Sequence, residues 1–258
     1  MGFHIDHICF SYEERKVLND ISLLLDPGHF YGIVGPNGCG KTTFIDLLMG
    51  HRRITSGSIL YKGKNIASYS RKALAKEISL VPQNFYINFP FNAREIVMMG
   101  RYPYIPRFSP PSAEDIQVAD EIMMKTGTKK FEDRYMTEMS GGERQRVIFA
   151  RALAQDTPVL MLDEATSNLD ISHTLNLLDI VADKVKQKGN TVIAVIQDIN
   201  LAATYCDRMI FMKQGGIAAY GDTDEVLTEE TIKTVFNVSS KVYSEPYSNS
   251  KKVAFIRE

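Results

Sequence analysis

The chain alternates short apolar runs with longer segments whose apolar residues recur at helical spacing. The apolar runs are rich in Val, Ile and Leu and are bounded by Gly, Pro or Asp, a pattern typical of strands buried on both faces of a sheet. These runs are "FYGIVG" at 30–35, "ISLVPQ" at 78–83, "PVLMLDE" at 158–164, "TVIAVIQD" at 191–198 and "RMIFMKQG" at 208–215. The helix-length segments are 41–49, 142–155, 173–188 and 201–206. This alternation predicts an α/β core with a largely parallel sheet.

Three regions read instead as antiparallel strands. Residues 1–25 and 57–68 show short alternating patterns, and "GSILYKGKNI" predicts a hairpin that turns at Lys62-Gly63. We therefore expect a small antiparallel sheet beside the core. The tail, 238–258, resembles a final hairpin with "YSNSKK" as its turn.

A helical insert is predicted where the strand pattern disappears. Residues 85–155 contain no convincing strand, and their Pro-rich tract reads as a loop. Ser112 then precedes a helix, with Asp115 three residues later in capping-box spacing. We expect one domain over 1–258, with 1–84 and 156–258 as the core plus the β subdomain and 85–155 as the α-helical subdomain.

Composition and charge narrow the functional classes. The 258 residues are 44% hydrophobic and 24% charged, enough for a full core without disulfides or metals. The net charge is −1 and the densest basic block is His51 to Arg53, so bulk electrostatics gives no indication of nucleic-acid binding. The three cysteines show no CxxC spacing, which favours a reducing compartment over a disulfide or zinc framework. We expect neither a signal peptide nor a membrane-spanning helix.

A phosphate-binding loop is the strongest local motif. "GIVGPNGCGKTT" follows an apolar strand and precedes a helix, the context that a P-loop requires. Its glycines let backbone N–H groups surround a phosphate, Lys41 can reach the β- and γ-phosphates, and the Thr42 hydroxyl can ligate Mg²⁺. Cys39 is either a small residue filling the loop or a thiol with a lowered pKa. The candidate ATP-binding residues here are Gly35, Pro36, Asn37, Gly38, Cys39, Gly40, Lys41, Thr42 and Thr43.

A second strand ends in two carboxylates, Asp163-Glu164. Chemistry on ATP needs one carboxylate for the Mg²⁺ shell and a second group to orient or deprotonate water. On its own, the Asp163-Glu164 pair fits a helix cap as well as it fits a catalytic site. Beside a P-loop it gains weight, because both motifs follow parallel strands at the edge where open α/β sheets bind ligands. The combination predicts a P-loop NTPase (RecA-like) core and fits kinases, GTPases, helicases and recombinases.

The stretch "MTEMSGGERQRVIFARALAQ" narrows that range. Ser140-Gly141-Gly142 opens an amphipathic helix and exposes backbone N–H groups at its N-terminus, a second anion-binding device in the same chain. Since the P-loop already surrounds the phosphates, the simplest interpretation is that this device binds ATP held by another copy.

These motifs, in this order and over nearly all of the chain, resemble the ATP-binding subunit of an ABC transporter. The resemblance implies ATP hydrolysis with Mg²⁺ and a homodimer closing head to tail. It also implies the roles of individual residues. Tyr12 would stack on adenine, Lys41 would contact the phosphates, Thr42, Gln83 and Asp163 would hold Mg²⁺, Glu164 would be the catalytic glutamate, Ser140, Gly141, Gly142 and Glu143 would form the signature motif, and 167–170 would cross the dimer interface.

Two positions depart from the family pattern. Glu143 replaces the glutamine that usually ends the signature, which we expect to be a mild change. Gln197 stands where the family usually has a catalytic histidine. A glutamine can still donate an N–H to a phosphate oxygen, but it carries no charge and cannot shuttle a proton. The alternative for Gln197 is a strand-end amide that bonds only local backbone.

The strings "FPFNAREIVMMGRYPY" and "DINLAATYCDR" are most similar to ATPases that power importers of iron–siderophore complexes, haem and vitamin B12. That resemblance implies a peripheral subunit on the cytoplasmic face of the membrane. Its partners would be two transmembrane permease subunits, with an extracytoplasmic substrate-binding protein and no nucleic acid. Candidate lining for the permease contact is 89–91 and 98–101, for which ordinary packing of the insert is the alternative. Two alternatives stay open: a soluble ABC-type ATPase of DNA repair or translation, and a low-activity nucleotide switch.

Overall fold

The elements follow the predicted alternation of strand and helix. A computed structural model describes residues 2–85, 89–167, 169–248 and 250–256. The strands are β1 Phe3–Tyr12, β2 Arg15–Leu25, β3 Phe30–Val34, β4 Ser56–Tyr61, β5 Lys64–Asn65, β6 Ile78–Val81, β7 Val159–Asp163, β8 Thr191–Val195, β9 Arg208–Lys213, β10 Gly216–Asp222, β11 Ser240–Glu245 and β12 Ser250–Phe255. The helices are α1 Lys41–Leu48, α2 Arg71–Leu74, α3 Ala93–Met99, α4 Ala113–Lys125, α5 Gly141–Ala154, α6 Ile171–Lys188, α7 Ile199–Tyr205, α8 Thr223–Val226 and α9 Glu229–Phe236.

Internal contacts divide the chain into two units. The first contains Met1–Tyr69 and Thr191–Glu258, and the second contains Ser70–Asn190. The sequence-predicted helical segment, 85–155, lies within the second unit. Its exact boundaries as a subdomain stay a prediction.

A parallel group of strands forms the core of the first unit. β3 lies between β8 and β9 and is parallel to both, with Phe30 opposite Val192 and Tyr31 opposite Arg208. All five residues of β3 and of β8 are buried. Such burial on both faces is why these runs are apolar without alternation. β10 joins the outer side of β9 in the antiparallel sense.

The predicted antiparallel sheet is also in the first unit, with strand order β2-β1-β4-β5. β4 and β5 are joined at Lys62 and Gly63, whose φ angles are 50° and 78°. Two successive left-handed residues make the tight hairpin turn that suits the twist of paired strands. The turn predicted at Lys62-Gly63 is confirmed.

The predicted C-terminal hairpin is confirmed as β11 and β12, which pair in an antiparallel register from Ser240–Phe255 to Glu245–Ser250. Its turn is shorter than predicted, because Ser250 already belongs to β12; Asn249 lies outside the described residues. The Asn200 amide ties the hairpin to α7, donating to the Val253 carbonyl at 3.2 Å and accepting from the Val253 N–H at 2.7 Å.

In the second unit, β6 and β7 pair in parallel, with Ile78 opposite Val159. The described part of 85–155 contains helices and an isolated bridge but no strand, as predicted. The predicted capping box at the start of α4 is present. Buried Arg101 ties α4 to α5, donating to Asp115 Oδ1 at 3.0 Å and to the Ala154 carbonyl at 2.9 Å.

Candidate functional site

The phosphate loop connects the buried strand β3 to helix α1 in the first unit. Lys41, the first residue of α1, is only 6% exposed. Its Nζ donates to the Gly35 carbonyl at 2.8 Å and to the Pro36 carbonyl at 3.0 Å. The loop therefore holds a positive charge at the start of α1, where the helix dipole also favours an anion.

Two glycines of this loop are required by close approaches. Gly40 has φ +106°, and a Cβ there would lie 2.5 Å from Leu18 Cδ2. A Cβ on Gly35 would lie 2.3 Å from the Met212 carbonyl oxygen. The loop is thus packed against β2 and β9 on its inner side, whereas Asn37 and Gly38 are exposed. The exposed side is the one available to a ligand.

The surroundings of the Cys39 thiol do not favour a redox role. Cys39 is 5% exposed, and burial raises the pKa of its thiol despite the opposing effect of the Lys41 charge. A buried thiol with a raised pKa is poorly reactive. The interpretation as a small residue filling the loop is the better supported of the two. Thr43 is likewise buried, while Thr42 is exposed on the first turn of α1.

Tyr12, the predicted adenine-stacking residue, ends β1 and is 38% exposed. The Arg52 guanidinium lies over its ring at 4.7 Å from the centroid, and Phe10 meets it edge to face at 4.9 Å. Arg52 in turn donates to Asp46 Oδ2 of α1 at 3.2 Å. Arg52 therefore links the Tyr12 ring to Asp46, on the helix that follows the phosphate loop.

Gln197 leaves the sheet of the first unit beside the phosphate loop. Ile33 of β3 is opposite Val195 of β8, and the Ile196 N–H donates to the Ile33 carbonyl at 3.2 Å. Because the two strands are parallel neighbours, Gly35 and Gln197 emerge at the same edge. Gln197 is exposed there. Asp198 caps α7, accepting from the N–H groups of Asn200 and Leu201.

In the second unit, too, two polar side chains follow the ends of neighbouring parallel strands, and one of them is a carboxylate. Val81 of β6 is opposite Leu162 of β7, so Gln83 and Glu164 follow neighbouring strand ends. Gln83 Nε2 donates to Glu164 Oε2 at 2.7 Å. Asp163 and Glu164 are only 5% and 9% exposed. The predicted carboxylate pair is therefore buried, and the partly exposed Gln83 is hydrogen-bonded to its second member.

The backbone at Glu164 is strained. Its φ is +50°, a left-handed value that costs energy for a residue with a Cβ. Ser167 supports the turn, donating to the Glu164 carbonyl from Oγ at 2.9 Å, and Gln145 of α5 donates to the Ala165 carbonyl at 2.9 Å. Strain held by surrounding hydrogen bonds is typical of functional sites. Asn168, predicted at the dimer interface, lies outside the described residues; Asp170 caps α6.

The signature motif begins α5 in the same unit. Ser140 is the N-cap; its Oγ accepts from the Glu143 N–H at 3.2 Å, and Glu143 Oε2 accepts from the Ser140 N–H at 2.8 Å. Ser140 and Gly141 are exposed, and a Cβ on Gly141 would meet nothing within 4 Å. This helix start presents its serine and the Gly141 and Gly142 backbone to solvent, where an anion could approach.

The predicted permease-contact residues separate into surface and interior. Phe89 is 61% exposed, as a contact surface requires, whereas Gly100 and Arg101 are buried. The buried ion pair of Arg101 with Asp115 makes this arginine part of the interior rather than of any lining. The sequence did not indicate that Arg101 would be buried, because an arginine is usually exposed.

Three contributing residues were missed by sequence reasoning. Arg52 was visible only as part of the basic stretch "HRR", and Gln145 and Arg134 only as polar residues of or near the signature helix. Their partners are Tyr12, the Ala165 carbonyl and Glu143. Each partner is distant in sequence or lies across a helix start, so residue type alone could not identify the contact.

The oxygen donors of the predicted metal residues fit Mg²⁺. They comprise the Thr42 hydroxyl, the Asp163 carboxylate and the Gln83 amide, which still has Oε1 when it donates through Nε2. Mg²⁺ prefers such hard oxygen donors and usually takes few protein ligands together with water and phosphate oxygens. In the described ranges, no group of three or more His, Cys, Asp or Glu side chains could hold a metal ion by itself.

Comparison with known proteins gives one family match. The family model described as ABC transporter matches residues 18–167. The matched range contains the phosphate loop, Gln83, the signature motif, Asp163 and Glu164. Among the residues that the structure describes, no helix is long and apolar enough to cross a bilayer.

Curated relatives match most of the chain. The cobalamin import ATP-binding protein BtuD of Halobacterium salinarum is 38% identical over 92% of this chain, which spans 59% of that relative's length. The ferric enterobactin transport protein FepC of Escherichia coli is 33% identical over 96% of this chain and 92% of its own. The hemin import protein HmuV of Thermobifida fusca is 34% identical over 97% of this chain and 87% of its own.

Solved structures are similar to most of this chain. An inward-facing putative metal-chelate ABC transporter is 27% identical, with a TM-score of 0.83 over 99% of this chain and 96% of that one. A dimeric post-hydrolysis cassette, MJ0796 bound to ADP and Pi, is 25% identical, with a TM-score of 0.78 over 86% of this chain and 98% of that one. Both likenesses extend well beyond the phosphate loop.

Proposed function

The chain belongs to the ABC transporter family, and from that membership we propose that it is the ATP-hydrolysing subunit of an importer. The single observation that carries the catalytic part is the buried Glu164 carboxylate, held by Gln83 at 2.7 Å in a strained turn. A carboxylate fixed at a strand end is suited to polarise an attacking water. Importer names among the relatives supply the transport part.

In the proposed mechanism, the phosphate loop and Lys41 bind the ATP phosphates, and Tyr12 stacks on adenine. Glu164 orients and deprotonates the attacking water, while Gln197 donates a hydrogen bond to the γ-phosphate. Thr42, Gln83 and Asp163 would hold Mg²⁺, which when bound offsets charge on the phosphate oxygens.

We propose further that two copies close head to tail, with Ser140 and its neighbouring N–H groups contacting ATP held by the other copy. The exposed N-terminus of α5 supports this. The phosphate loop already binds the ATP of its own chain, so a second anion-binding helix start is free to bind the ATP of another copy. Closure would exclude water and complete the site, and hydrolysis would reopen the dimer. The MJ0796 dimer is precedent for a paired cassette.

The proposed setting is the cytoplasmic face of the membrane, with two permease subunits and an extracytoplasmic binding protein. The relatives named for cobalamin, ferric enterobactin and hemin suggest a large metal-chelate or tetrapyrrole-type cargo. Exposed Phe89 is the candidate permease contact.

Two measurements test this function. Purified protein should hydrolyse Mg-ATP, and Lys41→Ala should abolish turnover because the phosphate contact is lost. Tagged protein expressed in its own cell should co-purify with two membrane subunits. ATP hydrolysis by a protein that co-purifies with no membrane subunit from its own cell would point to a soluble ABC-type ATPase. A protein that co-purifies with membrane subunits but does not hydrolyse ATP would point to a nucleotide switch.

A further inference from the structure

The first turn of α5 contains the Glu143 carboxylate, both of whose oxygens accept hydrogen bonds. Glu143 Oε2 accepts from the Ser140 N–H at 2.8 Å, and Glu143 Oε1 accepts from Arg134 Nη1 at 3.1 Å. The Glu143 side chain is 22% exposed. Its negative charge therefore lies within one helical turn of the serine that, on the proposed function, contacts a nucleotide phosphate.

Arg134 reaches this helix start from the preceding segment. Its Nη2 donates to the Glu138 carbonyl at 3.0 Å while Nη1 holds Glu143. Its own carbonyl accepts from the Ala93 N–H at 3.1 Å, at the start of α3. The guanidinium thus bridges the Glu138 carbonyl and the Glu143 carboxylate, while the Arg134 backbone is held by the start of α3.

We propose that Arg134 is a positioning residue that neutralises Glu143, so that the signature helix of this chain can accept a phosphate. The inference rests on the proposed function, in which Ser140 contacts ATP held by a second copy. Glutamate at this position fixes the helix start through the capping box but adds a charge of the same sign as the phosphate. Arg134 keeps the first effect and cancels the second.

Like charges at this helix start would repel each other. Two negative groups several ångströms apart at a partly exposed site repel enough to change an equilibrium by about tenfold. A guanidinium hydrogen-bonded to the carboxylate removes most of that repulsion, and the benefit falls as salt screens both charges. A glutamine at this position would need no such partner, because it preserves the cap hydrogen bond without the charge.

The test compares Arg134→Gln in two backgrounds. ATP-dependent dimerisation is measured by size-exclusion chromatography with Glu164→Gln in every protein, so that hydrolysis does not consume the ligand. Arg134→Gln should raise the ATP concentration needed for half-maximal dimerisation about tenfold at low salt, with a smaller rise at high salt. Combined with Glu143→Gln, the same substitution should change that concentration by less than about twofold.

Two controls separate charge from folding. Arg107→Gln removes the same charge from an exposed arginine that packs on Phe108, and should leave dimerisation unchanged. Arg134→Lys keeps the charge with a different hydrogen-bond geometry and should lie between the parent and Arg134→Gln. Thermal unfolding of each variant reports its folding.

Equal losses in the two backgrounds would overturn the proposal, because Arg134 would then act only through Glu138 and local packing. No loss in either background would overturn it as well. If the Glu164→Gln parent itself fails to dimerise with ATP, the failure belongs to the proposed function and not to the role of Arg134.

Discussion

Glu164 and Gln197 occupy similar places in their own units: Glu164 directly follows β7, and Gln197 follows β8 after Ile196. Glu164 is paired with Gln83 in the second unit, and Gln197 emerges beside Gly35 in the first. A side chain at such an edge is delivered by a rigid strand, so its position is defined before any ligand arrives. The chemistry of each position then depends on the residue type it carries.

The glutamine at 197 gives the first prediction. Gln197→Ala should lower the ATP hydrolysis rate about tenfold or more, because a hydrogen bond to a charged phosphate is lost. Gln197→His should match or exceed the parent, since it restores a donor of similar reach. The measurement is steady-state phosphate release. An alanine variant as fast as the parent would assign Gln197 to local structure alone.

The second prediction concerns the aromatic residue Tyr12. Tyr12→Ala should raise KM for ATP about tenfold with little change in kcat, because stacking on a base is lost. Tyr12→Trp should retain the parent KM. Tyr243→Ala, at another strand tyrosine that is 52% exposed, is the matched control and should leave KM unchanged. A normal KM for Tyr12→Ala would exclude the stacking role.

The N-termini of two helices are capped in the same way. α4 and α5 have the same capping box, with Ser112 and Asp115 in one and Ser140 and Glu143 in the other. Ser112→Ala and Ser140→Ala should each lower the free energy of unfolding by about 1 kcal/mol. Only Ser140→Ala should also impair ATP-dependent dimerisation, measured in the Glu164→Gln background. Equal dimerisation by both variants would remove Ser140 from the interface.

A pH dependence belongs to the buried ion pair of the second unit. Hydrogen bonds from Ser112 and from the Arg101 guanidinium hold the pKa of Asp115 below its ordinary value, against the effect of burial. A lowered folded-state pKa stabilises the protein above about pH 4, and this contribution is lost as pH falls through the folded-state value.

Asp115→Asn should therefore lower the free energy of unfolding by about 3 kcal/mol at pH 7, because Arg101 keeps its charge in a buried site. The difference from the parent should shrink toward acid pH, where Asp115 is protonated. Urea unfolding at pH 7 and pH 3 measures it, with exposed Asp133→Asn as the control. A difference that stays constant across pH would contradict the assigned ion-pair contribution.

At the scale of the whole molecule, the sequence predicted the elements that local chemistry determines. Apolar runs such as 191–195 are unmistakable strands, and Lys62-Gly63 and Ser112 carry turn and cap signals of their own. The structure refined their ends by a few residues. The shorter C-terminal turn was less predictable, because Ser250 is of a residue type common in turns and yet belongs to β12.

Contacts across the fold were the part that residue types could not supply. Gln83 was expected near Mg²⁺, but its hydrogen bond to Glu164 follows from strand register. The places of Arg52 over Tyr12, and of Arg101 in the interior, likewise depend on which elements pack together. Long polar side chains have many possible partners, and only the fold selects one.

The most direct test of the account is the behaviour of Glu164→Gln with Mg-ATP. We predict a stable ATP-dependent dimer in size-exclusion chromatography and a fall in hydrolysis of at least about a hundredfold, because the water is no longer deprotonated. Lys41→Ala, which cannot hold the phosphates, should show neither dimer nor turnover. A Glu164→Gln protein that stays monomeric with ATP while hydrolysing it at the parent rate would contradict the proposed mechanism.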